Sequence, residues 1–210
     1  MRQTTREKIL KIFHEQSGCA RTKDIRRQGI HHSHLIELQQ NGKIVKLKHG
    51  FYCLSDISQF NSLKAAQITI PSGIICLGTA LSYYGLSTWD PPEVHIAIPK
   101  GRKVKLPDYP PIRLYYFSGV FYETGIVHES TESGVTIQIY DVEKTVCDIV
   151  RYRNQIGIDI MKEALSEYLK QKDKNLNKLN SYAQSLKIGS VLRLFAERYT
   201  QFKKYFSNGE

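Results

Sequence analysis

The sequence predicts an α+β protein: a winged helix-turn-helix head, then a mixed α+β domain with a small sheet and a helical C-terminus. Three observations point there. Residues 31–54 switch from a helical apolar period to a strand-like one around Asn41-Gly42. Short apolar runs bounded by Pro and Gly fill residues 93–140. From Asp141 onward the apolar spacing is helical to the end.

In chain order, Thr4 or Thr5 caps a first helix whose inner face is Ile9, Leu10, Ile12 and Phe13. Ser17-Gly18 ends it, and Thr22 caps a second short helix, residues 23–27. Gln28-Gly29-Ile30 turns into a third helix, where Leu35, Ile36 and Leu38 form the expected buried stripe beneath a polar face. Asn41-Gly42 closes that helix, since both residues tolerate a left-handed C-terminus. Ile44, Val45, Leu47, Phe51, Tyr52 and Leu54 then carry strand propensity around a His49-Gly50 turn, making a hairpin wing. Residues 56–61 are a polar linker, so the predicted division is a head at 1–57 and a second domain at 58–210. In that second part helices are expected near 62–68 and 78–84, and strands at 93–98 and 112–117. A hairpin is expected at 127–131 and 135–140, then helices near 141–154, 158–171, 174–185 and 188–205.

Charge is concentrated where that fold would need it. The 210 residues carry a formal +10, and residues 1–54 hold eleven Lys/Arg against four Asp/Glu, a net +7. An anionic partner, with nucleic acid the commonest, is the implied class. A winged helix lays its third helix in the major groove and its wing on the phosphate backbone. Ser33, Gln39 and Gln40 therefore become candidate base-readers, Ser and Gln being suited to base edges, and His32 and His34 of the same helix are read as solvated or phosphate-facing. Arg26, Arg27, Lys43, Lys46, Lys48, His49 and Tyr52 become candidate backbone contacts. The competing use of such a head is as a protein–protein module.

Elsewhere, Asp141 is the expected N-cap of a helix with Val142, Val146, Ile149 and Val150 inside. Lys144, Asp148 and Arg151 share another face of it, either a surface ion ladder or a contact surface for a partner. Residues 170–210 carry nine Lys/Arg against three Asp/Glu with aromatics between them, a solvated face or a basic docking surface. Four dispersed cysteines with no C-x-x-C pair predict reduced thiols rather than a metal or redox motif. His31 and His34 share a helical spacing, but no Cys or carboxylate pattern completes a metal site, and no cofactor is expected. No P-loop, G-x-S-x-G, H-E-x-x-H or G-x-G-x-x-G stands in the chain, and its carboxylates do not form a nuclease set, so no enzyme is predicted. With neither a membrane-length apolar run nor a signal-like N-terminus, a cytoplasmic, non-membrane protein is expected.

Several blocks together resemble the AbiEi family of antitoxins, from AbiE-type abortive-infection toxin–antitoxin systems of phage defence. They are Gly50-Phe51-Tyr52-Cys53-Leu54, residues 71–86 (PSGIICLGTALSYYGL), Val94–Pro99, residues 140–154 (YDVEKTVCDIVRYRN), Gly157-Ile158-Asp159 and Glu163-Ala164. The resemblance implies a head that represses its own operon by binding repeated promoter sites, through residues 32–40 and 46–52. It implies a second domain that neutralises a nucleotidyltransferase-like toxin. Some members with this layout are simply transcriptional regulators, and a stand-alone regulator whose second domain docks or senses another partner is the alternative. Lys144, Asp148 and Arg151 are partner-binding candidates from their spacing alone.

Overall fold

A computed structural model describes residues 3–16, 18–55, 60–107, 109–130 and 136–196, without the side chains of residues 3, 4, 48, 60, 61 and 196. Its helices and sheets form two compact units, which confirms the α+β class. One comprises Met1–Gly73, Lys103–Ile112 and His128–Ile137; the other comprises Ile74–Arg102, Arg113–Val127 and Gln138–Glu210.

The first unit starts with α1 (Gln3–Glu15), β1 (Cys19–Arg21), α2 (Thr22–Arg27) and α3 (Ser33–Gln40). The hairpin β2 (Ile44–Lys48) and β3 (Phe51–Leu54) follows, then α4 (Phe60–Thr69). The sheet order is β1-β3-β2, so the hairpin gains a third antiparallel strand that the sequence reading did not include. Side chains alternate across a strand, and here both faces are covered. Ala20, Ile44, Tyr52 and Leu54 pack with Ile9, Phe13, Ile25, Ile30, Leu35 and Leu38 of the helices. On the other face Cys19, Leu47 and Cys53 pack against Ala65 and Ile68 of α4, with Tyr109 beside them. The register shifts between Lys46 and Lys48, a bulge that lets Leu47 join this second cluster.

Two expectations are corrected in this unit. Ile36 is 44% exposed while Leu35 and Leu38 are buried. Neighbours on a helix lie about 100° apart, so the face that buries 35 and 38 turns 36 outward. Cys19 and Cys53, expected as separate thiols, lie opposite each other in the β1–β3 register and are joined as a disulfide. The polar linker predicted at 56–61 falls largely outside the described residues, with α4 beginning at Phe60.

The second unit contains β4 (Ile74–Ile75), α5 (Leu77–Tyr83), β5 (Val94–Pro99), β6 (Ile112–Phe117) and α6 (Val120–Glu123). The chain continues with β7 (Ile126–Ser130) and β8 (Thr136–Tyr140), whose residues are divided between the two units, and then, in the second unit, with α7 (Val142–Arg151), α8 (Arg153–Ile156), α9 (Ile158–Lys170), α10 (Leu176–Ser185) and α11 (Gly189–Ala196). Its five-stranded sheet runs β6-β5-β4-β8-β7, with β4 antiparallel to β5 and parallel to β8. The part of the last predicted helix beyond residue 196 lies outside the described residues.

Helix α7 is the hub of this unit and packs on α5, α9 and α10. Asp141 caps it as predicted, accepting from the Lys144 N–H at 2.8 Å. The face carrying Lys144 and Asp148 is not a surface, however: every residue from Glu143 to Val150 is buried. Lys144 and Asp148 form an ion pair inside, and the Lys144 ammonium lies 4.1 Å from the Tyr140 ring centroid and 5.0 Å from that of Phe117. Burial pushes the Asp148 carboxyl up to about 6 against the opposing pull of Lys144. Arg151 alone of the three stays exposed, with its guanidinium 3.7 Å from the Phe121 ring centroid.

The Gly78-Thr79-Ala80 segment is a second internal junction. A side chain at Gly78 would meet the Trp89 ring at 2.3 Å, and its N–H donates to His95 Nδ1 at 3.2 Å. The His95 N–H donates in turn to Thr79 Oγ1 at 2.9 Å. Burial, with the nearby Arg113 charge, lowers His95 to about 4, which keeps its ring neutral as an acceptor.

Breaking the buried pair should cost far more than replacing it, because a lone buried charge has no compensation. Lys144→Met or Asp148→Leu alone is expected to destabilise by about 3–5 kcal/mol in urea unfolding, and the double variant by much less than either. Additive losses would show that the two side chains do not act as a pair.

Candidate nucleic-acid interface

The head brings three basic segments to one place. The Thr22 N–H donates to the Gly50 carbonyl at 2.9 Å, fastening the start of α2 to the hairpin turn. Gly50 takes φ +73°, a left-handed conformation that glycine adopts without strain, so the turn can present that carbonyl. The result is a cavity of about 420 Å³. Arg21, Lys23 and Arg26 line it from β1 and α2, and Lys46 and His49 from the wing. Thr22, His32, Gly50 and Tyr52 complete the lining, and no carboxylate is among these residues.

Tyr52 is almost fully buried, and its ring meets His32 edge-on with centroids 6.3 Å apart. Burial raises its phenol above the ordinary tyrosine value, so the hydroxyl remains a neutral donor. Two further polar atoms of the lining, Thr22 Oγ1 and His32 Nδ1, are buried without a hydrogen-bond partner among the described residues. Such a concentration of cations and neutral donors suits the oxygens of a phosphate, where each charge-assisted bond is stronger than a neutral one.

Of the residues singled out from sequence, Arg26, His32, Lys46, His49 and Tyr52 are gathered at this cavity. Arg27 is not in its lining and lies 3.5 Å from Asp24 on α2. Ser33 opens α3, exposed, its hydroxyl 2.9 Å from His31 Nδ1. His34 is half-buried beside Glu37, while Gln39 and Gln40 are exposed at the far end of α3, with Lys43 exposed just after. Lys48 contributes backbone to β2, and its side chain is not among those described. Arg21, Thr22 and Lys23 were missed, while Gly50 falls within the range 46–52 implied by the resemblance. Arg21 belongs to a three-residue strand with no periodicity to betray it, and Lys23 was legible only as part of the charge excess.

In the second unit the polar residues of the patterned helix are spent on internal bonds. Glu143 accepts from the Tyr168 hydroxyl and the Asn175 N–H, both at 3.2 Å. Asp141 accepts from the Tyr182 hydroxyl at 3.0 Å, and Lys178 reaches both carboxylates. Glu163 accepts from Thr88 N–H, Thr88 Oγ1 and Ser87 Oγ at 2.7–2.9 Å, which holds its carboxyl below the usual range. Among the described residues no group of His, Cys, Asp and Glu is placed to hold a metal ion, and no helix is long and apolar enough to cross a membrane.

Residues 7–55, the three helices and the hairpin, match the family model described as "Transcriptional regulator, AbiEi antitoxin". The head resembles the AbiEi antitoxin regulators. No curated protein matches the chain. Among solved structures, that of the RV2827C protein from Mycobacterium tuberculosis shares the fold: TM-score 0.55, 11% identity, 92% of this chain and 82% of that one covered. The AbiEi match falls within the unit that carries the basic cavity, while the later blocks quoted for the resemblance lie beyond the match.

The cavity makes a direct prediction. Arg26→Ala and Lys46→Ala should each weaken binding to duplex DNA of any sequence and reduce the slope of log affinity against log salt by about one. Arg27→Ala, tied to Asp24 outside the cavity, should leave the slope near its wild-type value; equal slopes in all three variants would contradict this assignment.

Proposed function

We propose that the protein is a DNA-binding transcriptional repressor and antitoxin of an AbiE-type system. In this reading residues 1–57 bind repeated sites in its own promoter, and residues 58–210 neutralise a nucleotidyltransferase-like toxin in the cytoplasm without being an enzyme. The observation that carries the DNA part is the cavity shared by α2 and the wing, with four Lys/Arg and two His side chains and no acid in its lining. Helix α3, which begins directly after His32 of that lining, offers Ser33, Gln39 and Gln40 to solvent, side chains that pair with base edges. Phosphate contacts then set position and salt dependence, and α3 sets sequence preference. The match of residues 7–55 to a family of transcriptional regulators supports the same role. The antitoxin part rests on that family's description and on the resemblance of residues 140–154. Lys144 and Asp148 lie inside the core, so Arg151 is the one member of that trio with a side chain available to a toxin.

Gel-shift of the full chain on the DNA upstream of its own gene, against a scrambled duplex and across a salt series, tests the reading. A specific, salt-sensitive shift is expected, and no shift at any salt would overturn it. Co-expression with a neighbouring nucleotidyltransferase gene separates the two readings: restored growth supports the antitoxin, and unrelieved toxicity supports a stand-alone regulator.

A further inference from the structure

The outward face of α3 carries one side chain that the DNA-binding reading has not used. Leu35 and Leu38 are turned into the core at 0% and 1% exposure, while Ile36 stands 44% exposed between them in sequence. Ser33 lies one turn before Ile36 and Gln40 one turn after it, both exposed, so the isoleucine sits mid-way along a polar stripe. Among the described residues of α3 and the β2–β3 hairpin, it is the only large apolar side chain this exposed.

A protein-docking patch gathers several apolar side chains into a contiguous area, and here there is one, on a segment with net charge +7. A major groove offers different chemistry. Every base edge there is a hydrogen-bond donor or acceptor except one group, the 5-methyl of thymine, which takes apolar contact. Cytosine carries only hydrogen at that carbon, so an aliphatic side chain in that position separates the two pyrimidines. Resting on the DNA-binding reading above, we propose that Ile36 is a specificity-determining residue that reads a pyrimidine 5-methyl group, selecting thymine at one step of each bound site. Ser33 and Gln40 then supply the hydrogen bonds on either side of an apolar contact. The cations of the cavity hold the backbone and do not distinguish the base.

The probe is a duplex selected by the full-length protein from a random-sequence pool, then resynthesised with deoxyuridine in place of each thymine in turn. That exchange removes the methyl group and leaves the pairing edge unchanged. The wild-type protein should lose about fourfold in affinity at one thymine position, the worth of one buried carbon group. Ile36→Ala should bind the two duplexes equally, and Ile36→Val should keep the distinction. The exposed position leaves both variants folded. Equal binding of both duplexes by wild type, with the selected sequence still preferred, would overturn the proposal and leave the DNA-binding reading standing. An equal loss in wild type and Ile36→Ala would overturn it in favour of another residue or of DNA shape. Failure to select any duplex would remove the DNA-binding reading and the proposal with it.

Discussion

Strand β3 is hydrogen-bonded along both edges, to β1 on one side and β2 on the other, and the head is arranged around that double pairing. Its alternation sends Tyr52 and Leu54 towards the helices and Phe51 and Cys53 towards α4. A slip of one residue would exchange the two sets and place the wrong side chains on each face. Because both faces are covered, register is fixed twice over. The Thr22–Gly50 backbone bond then ties α2 to the hairpin turn, and Arg21, Lys23 and Arg26 line one cavity with Lys46 and His49. Four cations, Arg21, Lys23, Arg26 and Lys46, face one space and repel one another. They are tolerated because packing elsewhere in the head supports them, and an anion in that space would relieve the repulsion.

The second unit uses charge in the opposite way. Lys144 and Asp148 neutralise each other inside the core, Lys178 draws Asp141 and Glu143 onto α10, and Glu163 gathers the loop at Ser87 and Thr88. Buried polar groups of this kind add little net stability but penalise every arrangement that leaves one unpaired. Among the described residues, the most patterned acids and bases of this unit fasten helices together.

Much of the head was legible from sequence because helix and strand differ in period, and Asn41-Gly42 and His49-Gly50 mark where one gives way to the other. What escaped has physical reasons. Strand β1 is three residues long and is defined by its partner rather than by any pattern of its own. Leu35 and Ile36 are both apolar, and a helix can turn only one of them squarely inward beside Leu38. Lys144 and Asp148 were expected on a polar face because isolated charges avoid burial; only three-dimensional packing reveals that they pair. The disulfide between Cys19 and Cys53 is likewise a matter of register, invisible across 34 residues of sequence.

The central claim is that the basic cavity and the outward face of α3 form one surface for DNA. Amide NMR of the full-length protein, titrated with the duplex it selects, tests this most directly. The account predicts shifts concentrated in residues 21–26, 32–40 and 46–52, with the second unit's amides unmoved. Shifts confined to the second unit, or none on saturation with DNA, would contradict it.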